Sequence, residues 1–153
     1  RRCRRRAARR ARSAAIPASA ASRRAAPERF SDDDPTHGEA AEVLAAAGVL
    51  GGTSATTFSP AGTVSRGQLA SLLVGVDESL GGSITVTDAD PFADDDASVH
   101  ADSIAKAAAA GFVNGVTADA YQPDGDVTRE QLAMSVTNVL ERLVDDDLAD
   151  PPV

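Results

Sequence analysis

The chain has 153 residues, which is enough for one domain with its own core, and its composition excludes several classes of protein. Hydrophobic residues make up 42% of the chain but aromatic residues only 3%, a balance that suits closely packed helices better than a β-sandwich. The single cysteine, Cys3, excludes an internal disulfide framework and a multi-cysteine zinc site. No apolar run approaches the roughly 20 residues that a membrane-spanning helix needs.

The net charge of −8 is distributed unevenly along the chain. Residues 1–29 contain eleven arginines and one acid, whereas residues 30–153 contain 22 acids and four basic residues. The arginine-rich segment lacks apolar periodicity, so we predict that residues 1–28 form a disordered tail. The favoured interpretation of this tail is a linker or the edge of a fragment. Nucleic-acid binding, a transit peptide and part of a twin-arginine export signal are the alternatives.

Two stretches of similar sequence follow the tail. At an offset of 63 residues VSRGQLA, which begins at Val64, meets VTREQLA, which begins at Val127. Other pairs at this offset are His37 with His100, Gly48 with Gly111, Phe58 with Tyr121, and Pro60 with Pro123. The chain therefore contains two copies of one sequence repeat, and each copy is expected to form one supersecondary unit.

A first helix is predicted in each repeat, over Pro35–Ala47 and Ser98–Ala110. Thr36 with Glu39 gives the first of these helices a capping box, and Ser98 is the predicted N-cap of the other. A glycine follows each helix at the C′ position, Gly48 and Gly111. A loop rich in Gly, Thr and Pro then carries an aromatic residue, Phe58 or Tyr121, which is predicted to pack inward.

A second helix follows each loop and begins with an arginine. The same capping box opens both helices, Ser65 with Gln68 and Thr128 with Gln131. Arg66 and Arg129 then occupy the first helical position, beside unpaired N–H groups and the positive end of the helix dipole. Apolar residues at helical period form one stripe per helix: Leu69, Leu72, Leu73, Val76 and Leu80, and Leu132, Val136, Val139, Leu140 and Leu143.

These elements, in this order, resemble the S-layer homology (SLH) motif: F-x-D, a helix ending A-A-G-[IVF], then F-x-P, and V-[ST]-R-[GE]-Q at a helix start. The run DDDASVHADSIAKAAAAGFVNG is similar to the variant common in high-GC bacteria. The resemblance places SLH motif 1 at residues 29–80, a linker at 81–90, motif 2 at 91–143 and an acidic tail at 144–153. It implies an all-α fold of tandem helix-loop-helix repeats packed as an incomplete pseudo-threefold bundle.

The resemblance also implies a function. SLH modules are non-catalytic anchors that attach exported proteins to cell-wall polysaccharide, often a polymer with a pyruvate ketal, so a cell-wall or cell-surface location is expected. A pyruvate ketal carries a carboxylate group. The planar guanidinium group of an arginine beside a helix N-terminus is suited to bind such an anion. The residues expected to bind the glycan are Arg66, Arg129, Asp32, Asp94, Gly48, Gly111 and Tyr121.

Two departures from the family pattern bear on this expectation. Many SLH motifs have Trp after the histidine, but Gly38 and Ala101 stand there, so a sugar-stacking platform is either missing or supplied by Tyr121 or Phe112. Three motifs commonly complete the domain, whereas this chain shows two. The third motif is expected either beyond a fragment edge or from a partner chain, by self-association.

Other interpretations of the same residues remain open. Each arginine could instead pair with an Asp run as a clasp between repeats, which would make the chain a structural or oligomerisation module without glycan affinity. Consecutive Asp side chains cannot all point toward one calcium ion, so no metal site is predicted. His37 and His100 are predicted to be helix-start contacts. No catalytic constellation and no cofactor-binding motif is present, so we predict that the chain is not an enzyme.

Overall fold

The structure, a computed structural model, describes residues 29–32, 36–86 and 91–148. The predicted disordered tail at residues 1–28 lies outside the described residues. The described residues form four helices: α1 (Gly38–Ala46), α2 (Arg66–Ser79), α3 (Ala101–Ala109) and α4 (Arg129–Leu148). The only extended pairing among the described residues is an isolated antiparallel bridge between Ser65 and Asp126, so the predicted all-α class is confirmed.

The first helix of each repeat is shorter at its start than the sequence predicts. Their N-caps are His37 and His100, and neither imidazole makes a capping hydrogen bond. The predicted N-caps Thr36 and Ser98 are therefore wrong. Ser98 lies in the turn before α3, where its hydroxyl accepts a hydrogen bond from the backbone N–H of His100 at 3.2 Å.

The predicted C′ glycines are confirmed. Gly48 and Gly111 both have φ +74°, which a residue with a side chain adopts only at a cost. Gly111 donates to the carbonyl of Ala108 at 3.0 Å and Phe112 donates to that of Ala107 at 2.8 Å, as in a Schellman motif. The same pair of hydrogen bonds closes α1, so the chain reverses in the same way at both sites.

The predicted capping boxes of α2 and α4 are also confirmed. The N–H of Ser65 donates to Gln68 Oε1 at 2.9 Å, and the N–H of Gln68 donates to Ser65 Oγ at 3.3 Å. The corresponding distances for Thr128 and Gln131 are 3.0 and 3.2 Å. α4 continues into the predicted acidic tail as far as Leu148, because no Gly or Pro interrupts the sequence before that point.

The chain folds as two compact units whose border differs from the border of the repeats. Among the described residues, unit 1 contains residues 29–32, 36–62 and 78–82, and unit 2 contains the remainder. α2 belongs to motif 1 in sequence but contributes residues 66–77 to unit 2, since its apolar stripe packs against motif 2. Among the described residues, no helix combines the length and the apolar composition that crossing a bilayer requires.

The main core lies in unit 2. It consists of Leu69, Ala70, Leu73 and Val74 from α2, together with Phe92, Ile104, Ala107, Phe112, Val113, Tyr121 and Val139. Unit 1 has a smaller core in which the rings of Phe30 and Phe58 lie 5.3 Å apart. The stripe of α4 is mostly exposed, with Leu132 and Val136 each 42% exposed and Leu140 56% exposed.

Candidate functional site

The start of α2 is covered by the loop of motif 2. We call residues 51–62 loop 1 and the equivalent residues 114–125 loop 2. The backbone N–H of Arg66 donates to the carbonyl of Gly125 at 2.8 Å, and that of Gly67 donates to Pro123 at 2.9 Å. The N–H groups that sequence reasoning leaves open at this helix start are therefore satisfied by loop 2.

The Arg66 side chain reaches back over the same loop. Its Nε donates to the carbonyl of Tyr121 and its Nη2 to the carbonyl of Asn114, both at 2.7 Å. Its guanidinium carbon lies 4.4 Å from the centre of the Tyr121 ring, within the range of a cation–π contact. A clasp between the repeats therefore exists, but its acceptors are backbone carbonyls and not the Asp run proposed as the alternative partner.

The clasp leaves part of the arginine unused. A guanidinium group has five N–H donors, and the two described hydrogen bonds use two of them. Among the described residues Arg66 has no carboxylate within ion-pair distance, although the domain is strongly acidic. The half-buried Arg66 is thus a fixed cation without an ion pair among the described residues, although its charge reaches the Asp94 carboxylate and helps to lower the pKa of that group.

Tyr121 forms the floor of this arrangement. The residue is 1% exposed, its ring lies 5.3 Å from the ring of Phe92, and its hydroxyl donates to the carbonyl of Arg66 at 2.9 Å. Burial raises the pKa of Tyr121 to about 12, against the opposing effect of the Arg66 charge. Phe112 is fully buried, so stacking of a sugar on either ring is not supported by this packing.

Asp32 and Asp94 hold the two loops in shape. The Asp94 carboxylate accepts backbone hydrogen bonds from Tyr121 and Gln122, both at 2.8 Å. Asp32 does the same for Phe58 at 2.7 Å and Ser59 at 2.8 Å. The hydrogen bonds from Phe58 and from Tyr121 are the main causes that lower the pKa of Asp32 and of Asp94 below its ordinary value. A glycan contact by either carboxylate stays a prediction.

The second arginine is not clasped. Arg129 is exposed, and among the described residues neither its side chain nor its backbone N–H has a hydrogen-bond partner. At the predicted glycan contacts Gly48 and Gly111, the positive φ explains the glycine, and an added Cβ would meet nothing within 4 Å. The structure therefore places the two arginines, which are equivalent in sequence, in different surroundings.

Sequence reasoning missed several contacts that hold the site together. His100 Nδ1 lies 2.9 Å from Ser71 Oγ, and the His100 ring packs against Gly67, where an added Cβ would lie 2.9 Å from it. Asp77 is fully buried and accepts a hydrogen bond from Arg142 Nε at 3.1 Å. The sequence gives a sign of the special position of Gly67, because the equivalent residue in the second repeat is Glu130 and not a glycine. Asp77 has no counterpart in the second repeat.

The family model for the S-layer homology domain matches residues 29–70 and 91–133, which is more than half of the chain. The chain belongs to the SLH family. The two matched segments confirm the two tandem motifs predicted from the sequence, and Arg66 lies inside the first SLH match and Arg129 inside the second. No curated protein and no solved structure matches the chain.

Membership of the SLH family gives the coarse function. SLH domains are cell-wall anchoring modules that bind wall polysaccharide in general, are associated with the cell surface and are non-catalytic as a family. No three His, Cys, Asp or Glu side chains among the described residues lie close enough together to hold a metal ion.

Proposed function

We propose that this SLH chain anchors a protein to the cell surface by binding an anionic, pyruvylated wall polysaccharide through Arg66 and Arg129. The observation that carries the proposal is the half-buried Arg66 guanidinium, which is fixed by two carbonyls, retains unused N–H donors and makes no ion pair among the described residues. A cation held in this way in an acidic domain is ready to receive an external anion. A ketal carboxylate matches the planar fork of a guanidinium group.

The clasp favours binding for two reasons. First, the carbonyls of Tyr121 and Asn114 fix the side chain before the ligand arrives, so less conformational entropy is lost on binding. Second, partial burial reduces the competition of water for the remaining N–H donors. An ion pair formed there is therefore stronger than a surface salt bridge, which contributes about 0–1 kcal/mol.

The other predicted contacts take different parts in this proposal. Tyr121 and Asp94 act by positioning the loop that holds Arg66, while Asp32 supports the equivalent loop 1. Gly48 and Gly111 lie in exposed turns, where a chain of sugars can approach the backbone. Arg129 offers all of its guanidinium donors but is not pre-organised. A two-motif chain of this kind is also proposed to self-associate to complete a three-motif domain.

Sedimentation with purified wall sacculi, before and after chemical removal of ketal-linked pyruvate, tests the proposal. We expect Arg66→Ala and Arg129→Ala each to weaken binding by about tenfold or more, as for loss of a charge-assisted hydrogen bond. The matched control is Arg142→Gln, which removes an arginine that already has an acidic partner and should lower stability without weakening binding. Equal binding by the wild type and the double Arg66/Arg129 variant would refute the proposal.

A structural or oligomerisation module without glycan affinity is the second candidate. The observation in its favour is the carbonyl clasp itself, which explains Arg66 without any ligand. A chain that associates with itself and stays in the supernatant with every wall preparation would establish this candidate. Nucleic-acid binding through residues 1–28 rests on a segment outside the described residues, and it predicts binding that weakens steeply with salt.

A further inference from the structure

A joint between the motifs is present inside unit 2. One half of this joint, the α2 half, is the start of α2 with its buried face, Leu69, Ala70, Leu73 and Val74. The other half is loop 2, whose carbonyls accept from the Arg66 side chain and from the backbone at the helix start. At the edge of the joint the backbone N–H of Val127 donates to the carbonyl of Val64 at 3.0 Å.

The α2 half of the joint has an equivalent in α4, which the described residues of unit 2 leave exposed. Arg129 corresponds to Arg66 and has no hydrogen bond among the described residues. The residues that correspond to the buried face of α2 are exposed in α4: Leu132, Ala133, Val136 and Thr137. α4 thus carries an exposed apolar stripe with an arginine at its start. In α2 the equivalent arginine is covered by loop 2, and the equivalent stripe is buried in the core of unit 2.

The second half of the joint occurs again in loop 1. Phe30 and Phe58 have the same ring separation and interplanar angle, 5.3 Å and 38°, as their equivalents in motif 2. Ser59 and Gln122 share a positive φ, 61° and 59°. Loop 1 therefore presents a carbonyl surface of the same shape. Among the described residues of unit 1, no hydrogen bond reaches the carbonyls that correspond to the acceptors of the clasp, those of Gly51, Phe58, Pro60 and Gly62.

We propose that copies of this chain associate head to tail, with the Arg129 end of α4 in one copy seated on loop 1 of the next copy. Arg129 then donates to the carbonyls of Gly51 and Phe58 of the neighbour, as Arg66 donates to Asn114 and Tyr121 within the chain. The contact is heterologous, so it either closes a ring or extends a row of copies. It uses two of the five guanidinium donors and leaves the others available, as in Arg66.

One difference between the helix starts makes this contact weaker than the internal joint. His100 packs against Gly67, and an added Cβ at that position would lie 2.9 Å from the His100 ring. The equivalent position in α4 is Glu130, which opposes the same approach by His37 of a neighbouring copy. We therefore expect association that is reversible and dependent on concentration, and we expect Glu130→Gly to strengthen it.

Sedimentation velocity of the full chain without polysaccharide, from about 1 µM to 1 mM, tests the proposal. The wild type should gain mass with concentration. Arg129→Ala should raise the dissociation constant by about tenfold. Glu130→Gly should lower it, with circular dichroism showing that both variants are folded. A single mass of 15.6 kDa at every concentration would overturn the proposal.

A mixing experiment tests the head-to-tail geometry. Val136→Glu damages only the α4 half, and Gly51→Arg damages only the loop half, since a Cβ at Gly51 meets nothing within 4 Å. Each variant alone should be monomeric, and their mixture should form a complex of two chains and stop there. A Gly51→Arg variant that still pairs with itself would show an α4–α4 dimer instead. Because no glycan is present, failure here is distinct from failure of wall binding.

Discussion

Arg66 and Tyr121 exchange hydrogen bonds across the junction between the two repeats. The Arg66 Nε donates to the carbonyl of Tyr121 at 2.7 Å, and the Tyr121 hydroxyl donates back to the carbonyl of Arg66 at 2.9 Å. The guanidinium also lies over the tyrosine ring. Two residues 55 positions apart in sequence are thereby tied at both backbone and side chain.

This exchange explains why an arginine occupies a disfavoured helix position. A cation at the first turn of a helix costs a few tenths of a kcal/mol through the macrodipole. Each hydrogen bond from a charged donor contributes about 1.5–3 kcal/mol, so two of them on loop 2 outweigh that cost. No such compensation is present for Arg129 among the described residues, and a ligand or a second copy is the proposed source.

Replacing Arg66 by Ala should therefore destabilise the fold. We expect the free energy of unfolding to fall by about 2–4 kcal/mol, because two charge-assisted hydrogen bonds and a cation–π contact are lost together. Urea denaturation followed by circular dichroism measures this change. Arg129→Ala is the matched control and should shift stability by less than about 0.5 kcal/mol. Equal losses for the two variants would mean that the clasp does not stabilise the protein.

The local features of the fold could be predicted from the sequence. Capping boxes at Ser65 and Thr128 and C′ turns at Gly48 and Gly111 depend on residues within one or two turns of each other. Each of these signals occurs twice, because the chain contains the motif twice. The predicted starts of α1 and α3 are wrong because His37 and His100 occupy the N-cap positions without the hydrogen bond that a Ser or Thr cap provides.

The long-range features could not be predicted in the same way. The acceptors of Arg66 are backbone carbonyls, which carry no signature in the sequence, whereas the conspicuous Asp run suggests only the alternative interpretation of an Arg–Asp clasp. Likewise α2 and α4 have similar apolar stripes, but only the stripe of α2 is mostly buried. Periodicity indicates which face of a helix is apolar, and it does not indicate what covers that face.

Alkaline pH should destabilise the protein through Tyr121. Its pKa is about 12 in the folded chain and 10.0 ordinarily, so the unfolded chain loses the proton first. Stability is unaffected below pH 10 and falls between pH 10 and 12, by about 1–3 kcal/mol. Tyr121 is the only tyrosine and there is no tryptophan, so the absorbance of tyrosinate reports this one group. Tyr121→Phe should remove the pH-dependent loss, and a tyrosine that titrates near pH 10 in the folded protein would contradict the assignment.

Acid should weaken the loops that Asp32 and Asp94 hold. Both carboxyl groups have a lowered pKa in the folded chain, so their contribution is present above the ordinary value of 3.8 and is lost as the pH falls through the lowered value. We expect Asp94→Asn to unfold in acid at a higher pH than the wild type, as followed by circular dichroism. Asp124→Asn changes an exposed acid with no described hydrogen bond and should leave the acid midpoint unchanged. If both variants behave alike, the loop hydrogen bonds are not the cause.

The difference between Gly67 and Glu130 gives the last prediction. Gly67→Ala places a Cβ 2.9 Å from the His100 ring, in a site where the backbone is already held by Pro123, so we expect a loss of about 1–3 kcal/mol in stability. Alanine is a better helix former than glycine, so an open site would show the opposite sign, a gain of up to about 1 kcal/mol. Glu130→Ala at the equivalent position of α4 should be close to neutral, because Glu130 is exposed. Thermal unfolding of the two variants measures the change in stability that each substitution causes. A stabilised Gly67→Ala variant would show that α2 does not pack against His100 in solution.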